Sequence, residues 1–105
     1  MAWFLLICAG LLEIVWAFFM KQSEGFSRLW PSAITVSAML GSFWLLALAM
    51  RILPLGTAYT IWTGIGALGS FLIGIVLLGE PANPMRLAAG GLILSGLVLM
   101  KLATP

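Results

Sequence analysis

Residues 2–20 read AWFLLICAGLLEIVWAFFM, an apolar run broken by one carboxylate, Glu13. A helix rises about 1.5 Å per residue and satisfies its own backbone, so about 20 apolar residues suffice to cross the hydrocarbon of a bilayer. The run is expected to be a membrane-spanning helix with an ionisable group near its middle. It has no Lys or Arg ahead of its apolar centre and carries an acid within it, so it reads as a retained helix and not a cleavable signal peptide. Cys8 follows Leu6-Ile7, where a lipid-anchor signal would need a small residue, and reads as a packing or lipid-facing thiol.

The same pattern recurs outward from this run. Apolar segments occupy about 2–20, 32–50, 57–79 and 87–103, separated by KQSEGFSRLWP (21–31), RILPLG (51–56) and EPANPMR (80–86), which are polar or proline-marked turns. Four spans and three short connections take up residues 1–105 as a single transmembrane domain. Tight connections imply that consecutive helices run antiparallel as neighbours. The chain is 63% hydrophobic and 8% charged, against roughly 25% charged in soluble domains, so it lacks the charge to cover a water-facing surface. The fold class is an all-α membrane protein.

Several function classes drop out. The five basic residues are scattered and form no nucleic-acid-binding patch. With one cysteine and no histidine there is no disulfide framework, thiolate cluster, His-based metal site or His-dependent triad. No nucleophile–base set is visible, so an enzyme is not expected, nor is a cofactor or metal. Carboxylates are left to handle protons. Of the three acids only Glu13 lies in a span; Glu24 and Glu80 fall in turns and read as solvated.

Glu13 costs at least ~3 kcal/mol at mid-span, and intramembrane carboxylates of this kind face a cavity or bundle interior and mark ion or substrate paths. The structural alternative is a protonated side chain bonded to another helix. Helical spacing places Leu6, Gly10, Glu13, Trp16, Ala17 and Met20 along one face. There Gly10 offers room, and Trp16 offers an indole N–H and a ring face that can hold a cation. Tyr59 and Trp62 share a face two turns into the third span, where interfacial anchoring is the plainer reading. Ser42, with Met39 one turn before it, is expected to bond its own i−4 carbonyl.

Gly64-Ile65-Gly66-Ala67-Leu68-Gly69 matches a dinucleotide fingerprint by spacing, but it lies inside an apolar helix with no preceding strand. A hinge and close helix packing are both open readings for these glycines. In the fourth span Ala89, Gly91, Ser95 and Gly96 have the spacing of a helix-association face, and Lys101 reads as snorkelling to the interface. Basic residues split almost evenly in a four-span arrangement, Arg51 and Lys101 on one side and Lys21, Arg28 and Arg86 on the other. Such a balance permits insertion both ways up and pairing of inverted copies; a single, weakly set orientation is equally compatible with it.

GLLEIVWA (10–17), the turn KQSEGFSRLWP and PLGTAYTIWTGIGALG (54–69) together resemble the small multidrug resistance family over nearly the whole chain. The subtype of guanidinium exporters has tryptophan three residues after the glutamate, as Trp16 is here. The quaternary-ammonium subtype instead resembles Glu-Val-Ile-Gly at this place and has an aromatic where this chain has Met39. The resemblance implies an antiparallel, dual-topology homodimer in a bacterial inner membrane that exchanges guanidinium-like cations for protons by alternating access. It also implies that Glu13 is the shared proton and substrate site, lined by Trp16, Ser42, Tyr59 and Trp62 with Gly10 and Met39 nearby, and that Gly64 and Gly66 form a flexible point. The alternatives are a quaternary-ammonium exporter of the same fold and a non-transporting pore-forming or assembly subunit.

Overall fold

The computed structural model describes residues 1–104. Four helices, α1 (Ala2–Gln22), α2 (Leu29–Ala49), α3 (Leu55–Leu78) and α4 (Pro84–Ala103), account for almost all of them, and no strand occurs among the described residues. With 20 to 24 residues each, all four are long and apolar enough to cross a membrane. α2 and α4 begin three residues before the expected starts. Pro31 falls in the first turn of α2, where its missing N–H is no loss, and Pro84 opens α4 behind the cap of Asn83, whose Oδ1 accepts from the Arg86 N–H at 2.9 Å.

Helix order differs from a closed bundle of sequential neighbours. α1 packs against both α2 and α3, α2 scarcely touches α3, and the backbone of α4 lies against α3 alone. The result is a slab of 42 × 35 × 16 Å. Glycines set the spacing. A Cβ built on Gly10 would meet Ile65, one on Gly66 would meet the Glu13 carboxyl, and one on Gly69 would meet Ile14, so α1 and α3 run parallel with side chains of one seated on bare backbone of the other. Gly64 takes Leu97, and Gly90 approaches Phe71, which places α4 antiparallel to α3.

The core lies at one end. Ala2, Leu6 and Ala9 of α1 pack with Leu46 and Ala49 of α2, Leu53 of the connection, and Ala58, Ile61 and Trp62 of α3. Beyond Gly10 no residue of α1 is fully buried, so Glu13 stands where tight packing gives way to open grooves. At the opposite end, α3 stops at Gly79 in the left-handed conformation (φ 69°), and the Glu80 N–H bonds back to the Gly74 carbonyl at 3.0 Å. No residue of α4 is buried, and Ala89, Gly91, Ser95 and Gly96 are all exposed.

These contacts predict opposite outcomes for two glycines of α3. Gly69→Leu would force α1 and α3 apart at Ile14 and lower stability by about 1–3 kcal/mol. Gly56→Ala, in the first turn with open space around it, is expected to be neutral or to stabilise by up to about 1 kcal/mol. Denaturation of the purified protein in detergent micelles measures both.

Candidate functional site

The most constrained polar contact ties three helices. The Ser42 hydroxyl donates to the Ala9 carbonyl at 2.6 Å, and the Trp62 indole N–H donates to the Ser42 hydroxyl at 2.9 Å, both bonds being buried. Ser42 therefore does not bond back to its own helix as expected. Thr35 and Ser95 do so, at 2.7 and 2.8 Å, because no neighbouring helix offers them an acceptor in reach. Ala9 is also the residue whose carbonyl receives the residue-13 N–H in an α-helix, so Ser42 braces the turn that carries Glu13.

Trp62 is 7% exposed and belongs to the core, which replaces the expectation of an interfacial anchor. The indole is held inward by its bond to Ser42, a partner that the sequence of α3 does not reveal. Tyr59, one turn earlier, is 53% exposed, with its ring 5.6 Å from that of Trp62. Phe43 continues the aromatic run, 5.8 Å from Trp62 and 6.4 Å from Trp16. A chain of rings thus passes from α3 through α2 to α1.

Glu13 and Trp16 line one open cleft of about 240 Å³ between α1 and α3, together with Ala17, Thr63, Gly66, Ala67 and Ser70. Gly66 lets the carboxyl lie directly against the α3 backbone. Glu13 Oε1 and Trp16 Nε1 are both buried and make no hydrogen bond among the described residues. The bond from indole to carboxylate that their spacing permits is not formed. One buried acceptor and one buried donor therefore stand unpaired beside the same cleft.

The other expected site residues are dispersed around it. Gly10 is buried beneath Ile65, Met39 is half-buried on α2, and Tyr59 borders a separate cleft of about 420 Å³ between α3 and α4, with Thr63, Gly64 and Gly96. The two glycines of the expected flexible point face different neighbours, Gly64 toward α4 and Gly66 toward α1, within an unbroken α3. Thr63, Ser70 and Phe43 were not singled out from the sequence. The signal for the first two was their spacing, since residues 63, 66, 67 and 70 share one face of α3. Phe43 carried none beyond its place beside Ser42.

The chain is similar to known proteins over nearly its whole length. A family model described as Small Multidrug Resistance protein matches residues 1–93. A guanidinium exporter of Escherichia coli (strain K12) is 61% identical over 104 residues, covering 99% of each chain. A guanidinium exporter of Yersinia pseudotuberculosis serotype I (strain IP32953) is 58% identical over 99% of this chain and 100% of its own, and one of Citrobacter freundii is 55% identical over 99% of each.

The buried hydrogen-bond chain makes a quantitative prediction. Ser42→Ala leaves the Trp62 N–H without an acceptor and is expected to cost about 1–3 kcal/mol. The same change in a Trp62→Phe background should cost less, because no donor is orphaned. A double-mutant cycle on detergent unfolding reads the difference directly.

Proposed function

Since the chain belongs to the small multidrug resistance family, a family of multi-pass membrane proteins that in bacteria sit in the inner membrane, we propose that it exports guanidinium and related small cations in exchange for protons. The observation that carries this reading is the Glu13 carboxyl, set within a membrane span and lining a cleft with Trp16, where its buried Oε1 and the buried Trp16 indole N–H both lack a hydrogen-bond partner. A guanidinium ion is planar, presents N–H donors in pairs that match a carboxylate, and has faces that stack on aromatic rings. The relatives named guanidinium exporters support that substrate class.

Coupling follows from competition. A carboxylate that holds the cation cannot also hold a proton, so an exchanger in which every crossing requires one or the other trades them across the membrane. Two access states are required, and an inverted pair of identical chains supplies them by symmetry. The two-against-three split of basic residues is compatible with insertion both ways up. α4 has no buried residue, and a Cβ at Gly91 or Gly96 would meet nothing within 4 Å, which suits a face made for a second copy. In this reading Ala89, Gly91, Ser95 and Gly96 form the dimer contact, and the seats of α1 and α4 on Gly66 and Gly64 let α3 shift between two packings.

In proteoliposomes, a guanidinium gradient imposed on the unmodified protein should drive proton movement of opposite sense. Glu13→Gln, nearly isosteric but unable to ionise, should abolish it while the protein still folds and assembles. Full coupled exchange by a folded Glu13→Gln variant would remove Glu13 from the mechanism, and conduction without exchange would favour a pore.

Topology is tested separately. Reporters at the C-terminus should find both orientations, lysines added to one side should fix one inactive orientation, and coexpression of oppositely biased versions should restore transport. A single orientation in the unmodified protein would exclude the inverted homodimer.

A further inference from the structure

A second cleft, of about 140 Å³, continues the first toward the end of α1 and α3. Its lining includes Ala17 and Ser70, which also line the Glu13 cleft, and it reaches Lys21 at the last turn of α1 and Glu80 just past α3. Because α1 and α3 run parallel, the two clefts lie in line along one groove, and the rise from Glu13 to Lys21 corresponds to a helix length of about 12 Å. We propose that this groove is the path by which the cation reaches Glu13 from the membrane surface, with Glu80 at its mouth and Ser70 as the polar step between. The proposal rests on the exporter reading and assigns its access path.

Three features support it. The walls at the junction are small: Ala17 on α1 and Ser70 on α3, the latter bringing a hydroxyl that both donates and accepts. Glu80, exposed on its outer side, folds back over the end of α3. Its backbone N–H is tied to the Gly74 carbonyl at 3.0 Å, and a Cβ built on Gly74 would fall 2.5 Å from Glu80 Oε1. The acid is thus aimed at the groove by the left-handed turn at Gly79 and the bare backbone of Gly74.

The third feature is chemical. On its α4 side Glu80 already pairs with a guanidinium: Arg86 Nη2 lies 3.5 Å from Glu80 Oε1, and Arg86 Cζ lies 5.3 Å from the centroid of the Phe71 ring, Arg86 and Phe71 both standing just outside the cleft lining. A carboxylate on the edge and an aromatic ring on the face are the contacts a free guanidinium ion takes. The arriving cation exchanges with Arg86 on Glu80, with Lys21 on the opposite wall keeping the mouth from trapping it. Glu80 then raises the local cation concentration, and Ser70 offers a hydrogen-bond partner where the ion leaves water.

Thiol accessibility tests the path. In a Cys8→Ala background in proteoliposomes, Ser70→Cys should react with a cationic, membrane-impermeant methanethiosulfonate at least about tenfold faster than Val76→Cys, which lies on the exposed face of α3. Excess guanidinium should slow the reaction at Ser70→Cys, and adding Glu80→Gln should slow it several-fold. In transport, Glu80→Gln should raise KM for guanidinium about three- to tenfold with kcat nearly unchanged, an effect that shrinks at high salt. Equal reactivity at the two positions, or a KM indifferent to Glu80, overturns the proposal. The unmodified protein serves as the reference: if it exchanges no guanidinium the exporter reading fails, whereas if it does and Ser70→Cys stays unreactive only the path fails. Should Ser70→Cys not fold, the Glu80→Gln kinetics decide alone.

Discussion

The bond from the Trp62 indole to Ser42, and from Ser42 to the Ala9 carbonyl, joins α3, α2 and α1 at one buried point. In an environment that offers neither water nor a hydrophobic driving force between helices, such a contact fixes what apolar packing leaves undetermined: the rotation of each helix about its axis. Once Ala9 is held by Ser42, the face of α1 one turn later is set, and Glu13 points to α3. Once the Trp62 N–H is drawn inward, the face of α3 bearing Thr63, Gly66 and Ser70 follows. The aromatic run from Tyr59 through Phe43 to Trp16 is arranged around the same point.

Glycine then sets the distances. Gly66 brings a carboxyl against the α3 backbone and Gly69 seats Ile14, so the floor of the Glu13 cleft is main chain. A span carrying an acid needs room for the group beside it and close packing elsewhere, and bare backbone at intervals supplies both. The same device at Gly74 holds Glu80 over the end of the groove. Packing is dense at the end of the molecule that holds Leu6, Leu46 and Ile61, and grooves open past Glu13.

α4 stands apart from that scheme. It packs mainly on α3, at Gly64 and near Phe71, and Ala89, Gly91, Ser95 and Gly96 are exposed. Lys101 near its end sits 5.1 Å over the Trp3 ring, so one of its few polar groups leans on α1 and the remainder of the helix is left for lipid or a second chain. Division of labour among the helices is therefore marked: α1 carries the acid, α2 braces it, α3 forms the groove with α1, and α4 lies outside with no buried residue.

Four spans, their short connections and the single intramembrane acid were legible in the sequence because length, hydropathy and charge are properties of a segment by itself. That Glu13 and Trp16 would share a face, and so one cleft, was legible too, since helical periodicity fixes which residues of one helix lie together. What periodicity could not supply was the neighbour. Helices that are apolar nearly all round give no polar face to orient them, so nothing in α2 alone indicated that Ser42 would reach Ala9, and nothing in α3 alone that Trp62 would turn inward. Nor did the order of segments reveal that α1 lies between α2 and α3. Thr63 and Ser70 looked like any small polar residues of a membrane helix until α1 was set against them. The sequence by itself determined that this chain crosses a membrane and where it keeps its charge. Only the tertiary structure decided which groups meet that charge, because those meetings depend on bonds and glycine contacts between segments far apart in the chain.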